Sequence, residues 1–115
     1  MVVTPSQVGS EHDFRCDVQP DRDIVRVIPF GELDVSTVAQ VADRVSEMQQ
    51  AGFAEVVLDL RNLTFMDSSG LHLVLAADRM ARSNGTKFTL IAGSHPIQRL
   101  FEIVGLQESL TFRAA

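Results

Sequence analysis

Apolar positions along the chain recur at two spacings. Short, largely β-branched runs at Phe14–Val18 and Ile24–Pro29, and again in "EVVLDL" (55–60) and "KFTLIA" (87–92), have the length and composition of strands. The first two are joined by "QPDRD", a Pro/Asp stretch of hairpin length. Between strands the spacing changes. Val38, Val41, Val45 and Met48 repeat at helical intervals, Thr37 and Gln40 have capping-box spacing, and Gly52 supplies a left-handed stop. A second helix runs from Ser68 to about Ser83 and ends in the turn "SNGT". Leu71, Leu73, Val74, Leu75, Ala76 and Ala77 make its first two turns apolar nearly all round, so one face meets the sheet and the other either meets something else or is buried within the fold as well. In "SHPIQRLFEIVGL", Ser94 caps a third helix and Pro96 sits in its first turn. Ile97, Leu100, Phe101 and Val104 form its stripe, and Gly105 with Leu106 gives a glycine C-cap. "LTF" at 110–112 adds a short edge strand.

Strands alternating with helices predict an α/β fold, parallel in the middle with an antiparallel hairpin at the start. Residues 1–12 are polar, carry Pro5 and Gly9, and show no period, so they read as a flexible N-terminal tail to one domain spanning 13–115.

The 115 residues suffice for one core, and 45% hydrophobic with 22% charged residues is an ordinary globular balance. Net charge is −5, and Lys87 is the only lysine among ten basic residues. Without clustered cations to neutralise phosphates, neither nucleic acid nor an anionic membrane is a fitting partner. The longest apolar run, "LHLVLAA", is far short of the ~20 residues that span a bilayer. The first dozen residues lack the basic and apolar regions of a signal peptide, which predicts a cytoplasmic protein. Cys16 is alone, so it reads as a small buried strand residue.

Chemistry-bearing residues concentrate in "FMDSSGLHLVLAAD" (65–78). Ser68, Asp67, His72 and His95 include the residue types of a Ser-His-Asp triad, but the G-x-S-x-G elbow is absent and Asp67 adjoins Ser68 instead of backing a histidine. Asp59 ends a central strand as a receiver-domain phospho-acceptor would. Such a site also needs an acidic pair after the first strand and a lysine after the last one, and Lys87 starts its strand. Asp59 therefore reads as a strand-end residue with local hydrogen bonds. Three scattered histidines give no metal-ligand spacing, and no phosphate-binding loop motif occurs, so neither metal nor cofactor is expected. What remains is "DSSG" at a helix start, where Ser and Asp serve as N-caps and where a helix dipole tolerates added negative charge.

"FGELDVST", "VVLDLRNLTFMDSSGLHLVL" and "SHPIQRLFEIVGL" occur in the order and spacing of the STAS-domain family, and the chain from about Phe14 to Phe112 resembles the free-standing bacterial anti-sigma factor antagonists. The D-S-[ST]-G-L element carries most of the specificity, reinforced by G-E-L-D and the R-x-F-x-x-x-G-L ending. The resemblance implies a mixed sheet of four to five strands with helices packed on one side. It implies a binding protein, not an enzyme, that works by partner switching. The unphosphorylated form binds an anti-sigma factor that is also a serine kinase carrying ATP or ADP, and the sigma factor is freed. Phosphorylation ends the complex until a metal-dependent serine phosphatase acts. By the same resemblance Ser68 is the phosphorylation site. Asp34, Asp67, Ser69, Gly70, Leu71 and His72 share the partner-binding face with it. The family often has glycine where this chain has His72. Two other STAS roles fit the same residues: a non-switching accessory subunit of a lipid-transport ATPase, in which Ser68 is only a cap, and a ligand- or nucleotide-binding module.

Overall fold

The computed structural model describes residues 14–115, so the tail expected at 1–12 lies outside the described residues. Strands β1 (Arg15–Asp21) and β2 (Ile24–Leu33) form an antiparallel hairpin from Arg15↔Phe30 to Asp21↔Ile24. Both strands outrun the sequence reading, and the turn shrinks to Arg22 and Asp23, with Arg22 at φ 61°. Pro29 does not end β2. It falls after the last pair with β3, Val27↔Leu58, and before the first pair with β4, Gly31↔Leu63, where β2 has no parallel neighbour needing an N–H donor. Gly31, at φ 112°, sits at a register shift that turns the end of β2 from one partner to the other.

The other strands are β3 (Glu55–Asp59), β4 (Leu63–Met66), β5 (Lys87–Ile91) and β6 (Phe112–Arg113). The sheet runs β1-β2-β3-β5-β6, with β4 beside the far end of β2, and every pairing except β1–β2 is parallel. It therefore has six strands where four to five were expected. The additional strand is β4, too short and too irregularly buried to carry a period.

Helices α1 (Val38–Gln50), α2 (Ser68–Asn84) and α3 (His95–Ile103) fall where the periodicity puts them. Val25, Val27, Val56, Leu58, Phe88 and Leu90 alternate onto one sheet face and join Val41, Val45, Val74, Ala77, Ile97 and Phe101 in a single core. All three helices thus lie on one side, as expected. The second apolar face of α2 meets α1: Ala42 and Val45 approach Leu73, Ala76, Ala77 and Met80, and the buried Gln49 amide donates to the Ala77 carbonyl at 2.9 Å. Helix α3 ends in a Schellman motif, in which Leu106 N–H donates to Phe101 O and Gly105, at φ 74°, donates to Glu102 O. Its stripe is only partly covered: Ile97 and Phe101 are buried, Leu100 is half-buried and Val104 is exposed.

Candidate functional site

The pairing of β2 with β4 brings two acidic residues to one end of the sheet. The last pair is Leu33↔Met66, and Asp67 N–H donates to Leu33 O at 3.3 Å, so Asp34 and Asp67 leave neighbouring strand ends. Asp67 keeps an extended backbone (φ −115°, ψ −165°), and its carboxylate accepts from Ser69 N–H at 2.8 Å. Its carbonyl accepts from Gly70 N–H at 3.0 Å and Leu71 N–H at 3.4 Å. Asp67 is therefore the N-cap of α2. Ser68, the first helical residue, is exposed, and its hydroxyl bonds no other described residue. Ser69 is half-buried, with its N–H committed to Asp67.

Gly70 sets how closely this turn approaches the sheet. A Cβ there would lie 2.4 Å from Met66 Cγ and 2.7 Å from Met66 Sδ, distances that no relaxed side chain occupies. Leu71 enters the core, and His72 is exposed one turn beyond Ser68.

On the facing loop, Asp34 Oδ1 accepts from the Ser36 hydroxyl at 2.7 Å and from Ser36 N–H at 2.9 Å. The Ser36 hydroxyl leads the bonds that hold this carboxyl below the usual aspartate range; Ser36 N–H and Thr37 assist, against a smaller opposing effect of desolvation. Thr37 does not form the expected capping box. Its hydroxyl accepts from Asp34 N–H at 3.0 Å and donates to Glu32 O at 2.6 Å, which fixes the loop ahead of α1. Val35, the residue after Asp34, is 82% exposed, and Phe65 on β4, two residues before Asp67, is 45% exposed. Neither stood out in the sequence, because a lone valine in a polar loop and a phenylalanine in an aperiodic strand carry no burial signal.

Other candidates are not assembled. His95 opens α3 and, like His72, makes no hydrogen bond to Ser68 or Asp67 among the described residues. Asp59 is buried and gripped by Arg61, whose Nε and Nη2 reach its two oxygens at 3.0 and 2.7 Å. Burial alone would raise its pKa, but the Arg61 side-chain and backbone bonds, with the Arg61 and Arg26 charges, hold it below the usual carboxylate range. It is a structural strand-end residue, as expected. Cys16 is half-buried rather than buried, and desolvation pushes its thiol up to about 11, so it is protonated at neutral pH. Among the described residues no three His, Cys, Asp or Glu side chains gather as a metal site, and no helix is long and apolar enough to cross a membrane.

Known proteins sharpen this picture. The STAS domain family matches residues 16–115. The anti-sigma-B factor antagonist of Staphylococcus aureus is 36% identical over 78 residues, which cover 68% of this chain and 72% of that one. Two solved structures are similar at 28% identity. One is the anti-sigma factor antagonist SpoIIAA in its unphosphorylated form (TM-score 0.72; 89% of this chain, 87% of that one). The other is the Bacillus cell fate determinant SpoIIAA in its phosphorylated form (TM-score 0.68; 89% and 90%).

Proposed function

The chain belongs to the STAS domain family, and from that premise we propose that it is an anti-sigma factor antagonist whose binding is switched off by phosphorylation of Ser68. The observation that carries this is the division of labour at the start of α2. Asp67 caps the helix, so Ser68 stands exposed with a hydroxyl that the fold does not use. A relative of the same fold is known both with and without phosphate, which supports a phosphate that the domain tolerates.

The mechanism is electrostatic. In the unmodified protein the docking face joins Val35 and Phe65, apolar and exposed, to the carboxylates of Asp34 and Asp67. The anti-sigma factor, acting also as a serine kinase, sets its active site over Ser68 and is thereby kept from its sigma factor. Transfer of the ATP γ-phosphoryl group to the serine oxygen adds about −1.5 to −2 charges at pH 7. At the first helical position the dipole and the N–H groups of the first turn offset that charge against the adjoining Asp67. The fold persists. The interface does not, because a surface already carrying two carboxylates is now repelled where the kinase accommodated a neutral hydroxyl. A serine phosphatase resets the cycle. Ser69 is the poorer acceptor, half-buried and bonded through its N–H to Asp67.

Incubation with ATP and the anti-sigma factor kinases of the same genome, followed by fragmentation mass spectrometry, tests this. One added phosphate on Ser68 is the expected result. Phosphate on Ser69 or Thr64 would move the switch elsewhere, and stable complexes without modification would favour a permanent STAS subunit.

A further inference from the structure

Ser68 and His72 occupy successive turns of α2, four residues apart, and both are exposed. Residues at this spacing share a helix face, and the C-terminal member of such a pair leans back toward the helix start, which puts a phosphate on Ser68 within reach of the imidazole. Among the described residues the ion pairs belong to six arginines, and His72 enters none. We propose that His72 is the internal counter-ion of phosphorylated Ser68: its imidazolium pairs with the phosphate and holds it along α2. This rests on the reading of Ser68 as the acceptor.

The surroundings leave the two groups to each other. Helix α1 turns Ala42, Val45, Ser46 and Gln49 toward α2, while its Asp43, Arg44 and Glu47 line the cleft against β1. Strand β4 contains no titratable residue, and Lys87 of β5 lies near Ala81 and Arg82, toward the far end of α2. The remaining acids are Asp34, bonded by Ser36, Asp67, bonded by Ser69 N–H, Glu32, exposed on β2 opposite Phe65, and Asp78 on α2, paired with Arg82. On α2 itself, Arg79 is nearly two turns beyond His72. A phosphate on Ser68 would be the strongest anion in reach of the imidazole. Pairing would leave the phosphorylated surface with a net negative charge held along the helix, so that a phosphatase must break the pair to reach the ester.

The test does not need the kinase. Phosphoserine is placed at position 68 of the full chain during translation, and ³¹P and ¹H–¹⁵N NMR follow the phosphate and both described histidines from pH 4.5 to 8.5. The His72 titration should rise by roughly half a pH unit relative to the unmodified protein, as an exposed i,i+4 pair with a dianion implies. The second phosphate ionisation should fall by a similar amount, while His95 stays unchanged. His72→Gln should raise the phosphate titration above that of wild type by the same amount, and His72→Lys should keep it depressed. An identical phosphate titration in wild type and His72→Gln would overturn the pairing. Because the phosphate is installed directly, that result would leave the kinase reading of Ser68 untouched, and failure of kinase labelling would leave the pairing intact.

Discussion

Gly70→Ala tests whether the start of α2 is set by close approach to the sheet. Elsewhere in a helix this exchange stabilises by up to about 1 kcal/mol, because alanine has the higher helix propensity. Here the new Cβ would meet Met66 Cγ at 2.4 Å, Met66 Sδ at 2.7 Å and Leu33 Cδ2 at 3.1 Å. Both side chains are buried, so neither can swing into solvent. Overpacking of this kind costs about 1–3 kcal/mol. After the propensity gain, the net change should be a loss of about 1 kcal/mol. The same exchange in a Met66→Ala background meets only Leu33, and its sign should reverse to a small gain. The coupling between the two sites should therefore be about 2 kcal/mol, within the range for residues in contact. Urea unfolding of the four proteins, with a common m-value, measures it. If Gly70→Ala stabilises the wild type as much as it stabilises Met66→Ala, the helix start is not pinned by this contact.

Three further outcomes follow from the same packing and charge arguments. Phe101→Ala should cost about 3–5 kcal/mol in urea melts, since the ring is fully buried and meets Phe112 edge-on at 5.5 Å; half-buried Leu100 should cost less when truncated. Asp59→Asn should destabilise by about 1–3 kcal/mol at pH 7 by removing a buried charged acceptor from Arg61. Because the folded pKa of Asp59 lies below its unfolded value, its contribution is complete above about pH 4 and is lost as pH falls through the lower folded pKa, so the melts of mutant and wild type should converge in acid. Ser68→Ala and Ser68→Asp should both melt within a few degrees of wild type, because Asp67 supplies the cap and the helix start accepts an acid.

Long periodic elements were legible in the chain, and short aperiodic ones were not. Helix α1 shows itself through Val41 and Val45, and α3 through Ile97, Phe101 and the Gly105–Leu106 ending. Strand β4 has its buried residues at Leu63 and Met66, a spacing of three that breaks the alternation of a strand, so its existence follows only from pairing with β2. The full length of β2 was hidden by Pro29 and Gly31, which signal a stop unless the strand changes neighbours midway. Thr37 carries a capping pattern, but its hydroxyl serves the preceding loop, a choice set by the position of Glu32 and Asp34. At the candidate site the serine cluster was visible, yet only backbone geometry separates the capping Asp67 from the unbonded Ser68. The apolar contribution of Val35 and Phe65 depends on tertiary placement and has no local signal.

The decisive comparison is the affinity of an anti-sigma factor kinase from the same genome for this protein, by titration calorimetry, with Ser68 unmodified and with phosphoserine at that position. Like-charge juxtaposition at an interface costs several kcal/mol and each 1.4 kcal/mol is about tenfold in Kd, so phosphorylation should weaken binding by at least about tenfold. Equal affinities for the two forms would contradict a charge switch at Ser68.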